Sequence, residues 1–206
     1  MHPEPAAQPS RAAVTSTTLL EGLRDPDNRT VWRHYVERYR PLLVRYARKL
    51  GATGEEAEDL AQATLLAFST AYRAGRYDRD RGRLSSWLFG IARNEVRAWG
   101  RARQKRRLQA GTTEGEERIA DLEADDALQE LWEAEWRDAL LRECLRLLRR
   151  ELQPQTLAAF ERFALEERTA EEVARELGTS TSMVFSAKHR VLQRIRELMP
   201  LVEDTW

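Results

Sequence analysis

Cysteine is almost missing from this chain: Cys144 stands alone among 206 residues. One thiol excludes an internal disulfide framework and a cysteine-built zinc site. Glycine and proline are sparse as well, at ten and seven, too few for an all-β protein closed by tight turns. No apolar run approaches the ~20 residues that a membrane-spanning helix needs. Residues Met1 to Thr18 carry Pro3, Pro5 and Pro9 and no apolar core of a signal peptide, so the expected compartment is the cytoplasm, with no membrane partner. Carboxylates abound, but no His/Asp/Ser set, metal-ligand spacing or phosphate-cradling glycine loop accompanies them. No enzyme, cofactor or metal is therefore expected.

What is present points to helices. Hydrophobic residues make up 42% and charged residues 33%, a balance that suits a soluble, helical chain. The formal net charge is zero, yet the charge is not evenly spread. Residues 31–110 hold 18 Lys and Arg against 8 Asp and Glu, residues 111–139 hold 2 against 11, and residues 140–206 hold 11 of each. A basic block followed by an acidic one suggests a polyanionic partner for the first. An arginine-rich solvated surface would give the same count.

Apolar residues recur at three- and four-residue steps through Trp32, Tyr35, Val36, Tyr39, Leu42, Leu43, Tyr46 and Leu50, predicting an amphipathic helix interrupted at Pro41. A second helix opens on a capping box, Thr53 to Glu56, and carries Ala57, Leu60, Ala61, Leu65, Phe68 and Tyr72. A polar loop from Arg73 to Arg83 leads to a third, with Leu84, Trp87, Leu88, Ile91, Val96 and Trp99, ending in the basic run 101–107. Residues 110–124 lack a stripe and read as an acidic linker. A new stripe follows from Asp125 or Asp126 through Leu128, Leu131, Trp132, Trp136, Leu140, Cys144, Leu147 and Leu148. Pro154 starts the next helix, with Leu157, Phe160 and Phe163 buried. The expected fold is all-α: a disordered tail at 1–24, a helical domain at 25–108, a linker at 109–125, and a second helical domain at 126–206. The aromatic stripes read as core.

The sharpest local signal is TAEEVARELGTSTSMVFSAKHRV, Thr169 to Val191. Thr169 and Glu172 form a capping box, Gly178 ends the helix, and Ser180 can cap the next. Ala174, Gly178 and Val184 stand at the offsets of a helix-turn-helix. In that motif the second helix enters the major groove of duplex DNA, whereas an ordinary helical hairpin would need no such register. The outward positions would be Thr181, Ser182, Phe185 and Ser186, followed by Lys188, His189 and Arg190. Hydroxyls can meet base edges or phosphates, and Phe185 can pack on a thymine methyl. His189 lacks neighbouring ligands for a metal and is expected to face phosphate or solvent.

The third helix couples a basic face to aromatics. Arg93, Arg97 and Arg101 are spaced by four, with Asn94 beside them, and Arg83, Trp87 and Trp99 lie on the same segment. Asn and Arg read base edges, and aromatics stack on unpaired bases. The combination suits opened DNA better than plain duplex.

EEAEDLAQATLLAFSTAY (55–72) and YDRDRGRLSSWLFGIARNEVRAW (77–99) resemble region two of bacterial sigma factors. The stretch EVARELGTSTSMVFSAKHRVLQRIREL resembles their region four. Both are similar to the extracytoplasmic-function (ECF) group of the sigma-70 family, which keeps these two regions and lacks the domain between. The resemblance implies a factor that binds core RNA polymerase and directs promoter recognition and opening. Asp59, Leu60 and Gln62 would dock on the clamp helices of the β′ subunit; family members often carry an acidic residue after that glutamine, where this chain has Ala63. Arg76 to Arg83, including Tyr77, would capture an extruded base of the minus-ten element, and Asn94 and Arg97 would read its upstream edge, with Arg93 and Arg101 also contacting minus-ten DNA. Trp87 would be either structural or a stacking platform. Ser180 to Arg190 would meet the minus-thirty-five element, and region four the β flap. The acidic linker would either thread towards the RNA channels or act as a solvated tether. An anti-sigma factor is a further candidate partner. The competing reading is a sigma-like helix-turn-helix regulator that acts on duplex DNA without polymerase.

Overall fold

A computed structural model describes residues 21–25, 27–110 and 125–206. Most of the expected tail and linker residues 111–124 lie outside these. The described residues form helices with no strand, in agreement with the all-α expectation. They are α1 (Arg29–Lys49), α2 (Gly54–Arg73), a 3-10 turn (Arg79–Arg81), α3 (Leu84–Ala110), α4 (Asp125–Leu148), α5 (Pro154–Phe160), a π-helical turn (Glu161–Leu165), α6 (Ala170–Glu176) and α7 (Thr181–Thr205). They fall into two compact units, one through Glu135 with the last two residues, the other Trp136–Asp204.

In the first unit α1 starts where the Asn28 side chain accepts a hydrogen bond from the Val31 amide at 3.2 Å. It then runs through Pro41 as one helix. The capping box at Thr53 forms as the sequence requires, with reciprocal bonds between Thr53 and Glu56 of 2.9 and 3.3 Å. Each bond satisfies an amide that a helix start otherwise leaves without a partner. α1 packs on α2 and α2 on α3. Their shared core holds Tyr35, Tyr39, Leu42, Tyr46, Phe68 and Leu88, each almost wholly buried. The Tyr35 and Phe68 rings stack at 4.5 Å. Burial pushes the Tyr39 hydroxyl up to about 12, and it donates to the Trp206 carbonyl at 3.3 Å.

The structure departs from the sequence reading at both ends of this unit. Leu23, assigned to the tail, is fully buried. The first turns of α4, assigned to the second domain, belong to the first unit. Leu128 and Trp132 are buried there, the Trp132 ring standing edge-on to Tyr46 at 5.3 Å and beside Phe89 at 5.7 Å. Tyr46 donates its hydroxyl to the Leu128 carbonyl. Glu135 is 1% exposed and clamped between Arg45 (3.1 Å) and Lys49 (2.5 Å). Val36, placed in the core stripe, is exposed.

The second unit holds the remainder of α4 and the helices after it. Leu140, Cys144 and Leu148 are buried along α4. Phe160 is buried, but Phe163, expected in the core, is only half-buried and lies in the π-helical turn. α6 begins at the Thr169–Glu172 capping box and α7 follows after the four residues Leu177 to Ser180. Gly178 sits at φ +61, the left-handed conformation that ends a helix most cheaply as glycine. Ala159, Ala170, Val173, Ala174, Val184 and Ala187 form one cluster. Its members come from α5, α6 and α7.

Candidate nucleic-acid interface

Four surfaces carry the residues singled out by the sequence, three assigned to DNA and one to polymerase. The first is α3. Asn94 and Arg101 are exposed, and the Arg93 and Arg97 side chains are about one third exposed. Their spacing by four places the three arginines on one face, as periodicity requires. The Arg93 guanidinium lies over the Phe89 ring at 5.8 Å. Both Arg93 (3.3 Å) and Arg97 (2.5 Å) pair with one carboxylate oxygen of Asp125, at the start of α4. The sequence offered no signal for that pairing, because Asp125 lies 28 residues beyond even the nearer arginine, Arg97, across the acidic segment.

The second surface is formed by the loop before α3 and that helix's first residues. Arg76, Tyr77, Asp78, Arg81, Gly82, Arg83, Ser86 and Trp87 line a concavity of about 330 Å³. The Asp78 carboxylate accepts from the Asp80 amide at 2.9 Å, and Tyr77 donates to the Gly82 carbonyl, so the loop is held by its own polar groups. Its aromatic wall is continuous with the core. Trp87 lies 5.0 Å from Tyr77 and 4.9 Å from Phe68, and Tyr72 is near both Phe68 and Trp87. Trp87 is therefore structural through its neighbours and still half-exposed at the concavity. Cationic and aromatic groups around a hollow of this size suit an unpaired base and its phosphate.

The third is α7. Ser182, Phe185, Ser186, His189 and Arg190 are exposed, while Thr181 and Lys188 are half-buried. Ser180 is committed locally: its hydroxyl accepts from the Met183 amide at 3.2 Å and caps the helix. Phe185, 54% exposed, meets Phe163 edge-to-face at 5.3 Å, and the Lys188 ammonium lies over the Phe163 ring. Met183, absent from the sequence reading, is 56% exposed on α7. Hydrogen bonds from Thr169 hold the Glu172 carboxyl below the usual carboxylate range, fixing the start of α6.

On α2, Asp59 and Gln62 are exposed but Leu60 is buried, so only two of the three residues assigned to docking present side chains. Gln62 borders a groove of about 630 Å³ that also takes in Trp32, Val36, Leu66 and Arg73. Leu66 is 67% exposed there, and the Arg40–Glu58 ion pair (2.7 Å) stands at its edge. Of these, Leu66 falls outside the helical stripe, and Val36 falls within it although it is exposed at the groove. Among the described residues no group of three or more His, Cys, Asp or Glu is placed to hold a metal ion. None of the helices among them is long and apolar enough to cross a membrane.

A bundle with an arginine–asparagine helix beside an aromatic-walled loop, followed by a helix-turn-helix, is the arrangement of a transcription-initiation factor. The family described as Sigma-70 region 2 matches residues 35–107. The chain is 33% identical over 187 residues to the ECF RNA polymerase sigma factor SigD of Mycobacterium tuberculosis, and equally to that of Mycobacterium bovis, covering 82% of this chain and 77% of each relative. The chain belongs to the ECF sigma factors of the sigma-70 family.

Proposed function

We propose that this protein binds core RNA polymerase and brings it to promoters, reading the minus-ten element as opened strand with α3 and the adjoining loop, and the minus-thirty-five element as duplex with α7. The observation that supports this is that the helix α3, which carries Arg93, Asn94, Arg97 and Arg101, also lends Trp87 to the Tyr77–Trp87 concavity, all within one unit. A base exposes its aromatic face and pairing edge only after unpairing, at about a few kcal/mol, which stacking and pocket contacts offset. No bond is made or broken by the chain in this reading. Its place of work is the bacterial cytoplasm, and an anti-sigma factor would compete for the same exposed surfaces. Asp59 and Gln62, with the apolar groove beside Gln62, are assigned to the β′ clamp helices.

Runoff transcription with core polymerase over a randomised promoter library is the test. Promoter-specific transcripts are expected, and Arg97→Ala should lower open-complex formation and relax minus-ten selectivity by about 1–3 kcal/mol. Asp59→Ala with Gln62→Ala should weaken capture of core polymerase without loss of helicity. Preference for duplex throughout, with no stimulation of core polymerase, would replace this reading by a duplex-binding regulator.

A further inference from the structure

The carboxylate of Asp125 sits where a nucleic-acid phosphate would have to sit to meet Arg93 and Arg97. Both guanidiniums converge on one of its oxygens, at 3.3 and 2.5 Å. Nor is Asp125 held there by those contacts alone. It begins α4, and the three turns after it are fixed to the same unit by Leu128, Trp132 and Glu135. Leu128 is 1% exposed and gives its carbonyl to Tyr46; Trp132 lies against Tyr46 and Phe89; Glu135 is enclosed by Arg45 and Lys49. A charge so anchored acts as an intramolecular ligand: its ordering cost is already met, so its effective concentration at the arginines is high. The segment that carries it is also the acidic stretch of the chain, with 11 carboxylates and 2 cations in residues 111–139.

We propose that the start of α4 is a built-in competitor for promoter DNA, with Asp125 occupying the Arg93–Arg97 pair in the free protein and leaving it when strand or phosphate arrives. This rests on the assignment of those arginines to DNA. The device lowers binding of the free chain to stray nucleic acid, which a basic block would otherwise attract at low salt. The carboxylate is half-exposed, at 52%, so the competition is moderate, of the size of a partly solvated ion pair.

The test uses the full chain and a fluorescent single-stranded oligonucleotide, with anisotropy read at several salt concentrations. Asp125→Ala and Asp125→Asn should each tighten binding about two- to five-fold at low salt, and the gain should shrink as salt rises. Glu130→Ala, an exposed change of equal charge on the same helix, should give a clearly smaller gain. In an Arg97→Ala background the benefit of Asp125→Ala should fall or vanish. Equal gains for Asp125→Ala and Glu130→Ala, or no gain at all while Arg97→Ala still weakens binding, would overturn the competitor and leave the DNA assignment standing. If Arg97→Ala leaves binding unchanged, the DNA assignment and the competitor fall together. Unchanged thermal midpoints across the set establish that each variant is folded.

Discussion

Cys144 is fully buried, and burial, aided by the nearby Glu143 carboxylate, pushes its thiol up to about 11. The neutral form is favoured in the folded protein, so this group's contribution to stability is complete below 9 and is lost as pH rises towards about 11. A thiol-specific reagent at pH 8 should modify Cys144 slowly in the native protein and fast in denaturant; equal rates would show that the α4 core opens freely. Residue identity was legible in the sequence more often than orientation was. Gln62, Asn94, Ser182 and Arg190 are exposed as the helical period required. Leu60 is buried although its neighbours in the motif face outward, because a motif records adjacency in sequence and a helix turns successive residues about 100° apart.

At the scale of the element, the helix-turn-helix was the most readable part, since its constraints are local. The Thr169–Glu172 capping box, a left-handed glycine and the Ser180 cap all stand where residue chemistry demanded. Gly178 has open space where a Cβ would be built, so a substitution there is opposed by the backbone alone. Gly178→Ala should cost about 1–2 kcal/mol, and Gly178→Asn less, since asparagine tolerates the left-handed region. Urea titration of the full chain checks the order, which would invert if packing rather than φ governed the position. α4 was read less well. Its apolar positions look like one stripe, but Leu128 and Trp132 serve the first unit while Leu140, Cys144 and Leu148 serve the second. Periodicity identifies which residues are buried and is silent about what buries them.

At the scale of the whole molecule, the two compact units divide in sequence between Glu135 and Trp136, within α4. A fragment of residues 21–135 should therefore melt at a higher temperature than one of residues 21–108. It keeps Leu128 and Trp132 in place, and burying a large apolar side chain contributes about 1.5–3 kcal/mol. Thermal unfolding of the two fragments by circular dichroism decides this, and equal midpoints would mean that the first turns of α4 add nothing to the unit. The charge asymmetry that suggested a polyanion partner was visible in the counts, yet its internal use, with Asp125 on Arg93 and Arg97, depends on pairings that no local pattern encodes.

The clamp on Glu135 bears on how such proteins can be recombined. A hybrid factor built by exchanging promoter-reading halves at the acidic stretch would carry Glu135 into a foreign first unit. There it would be a buried carboxylate whose cations, Arg45 and Lys49, had stayed behind with the original. An isolated buried charge is strongly destabilising, whereas the same charge is tolerated with its partners present. Crossovers placed after Glu135 keep the three together. The tolerated site of exchange is thus set inside a continuous helix, one residue before Trp136, rather than in the segment whose composition most resembles a linker.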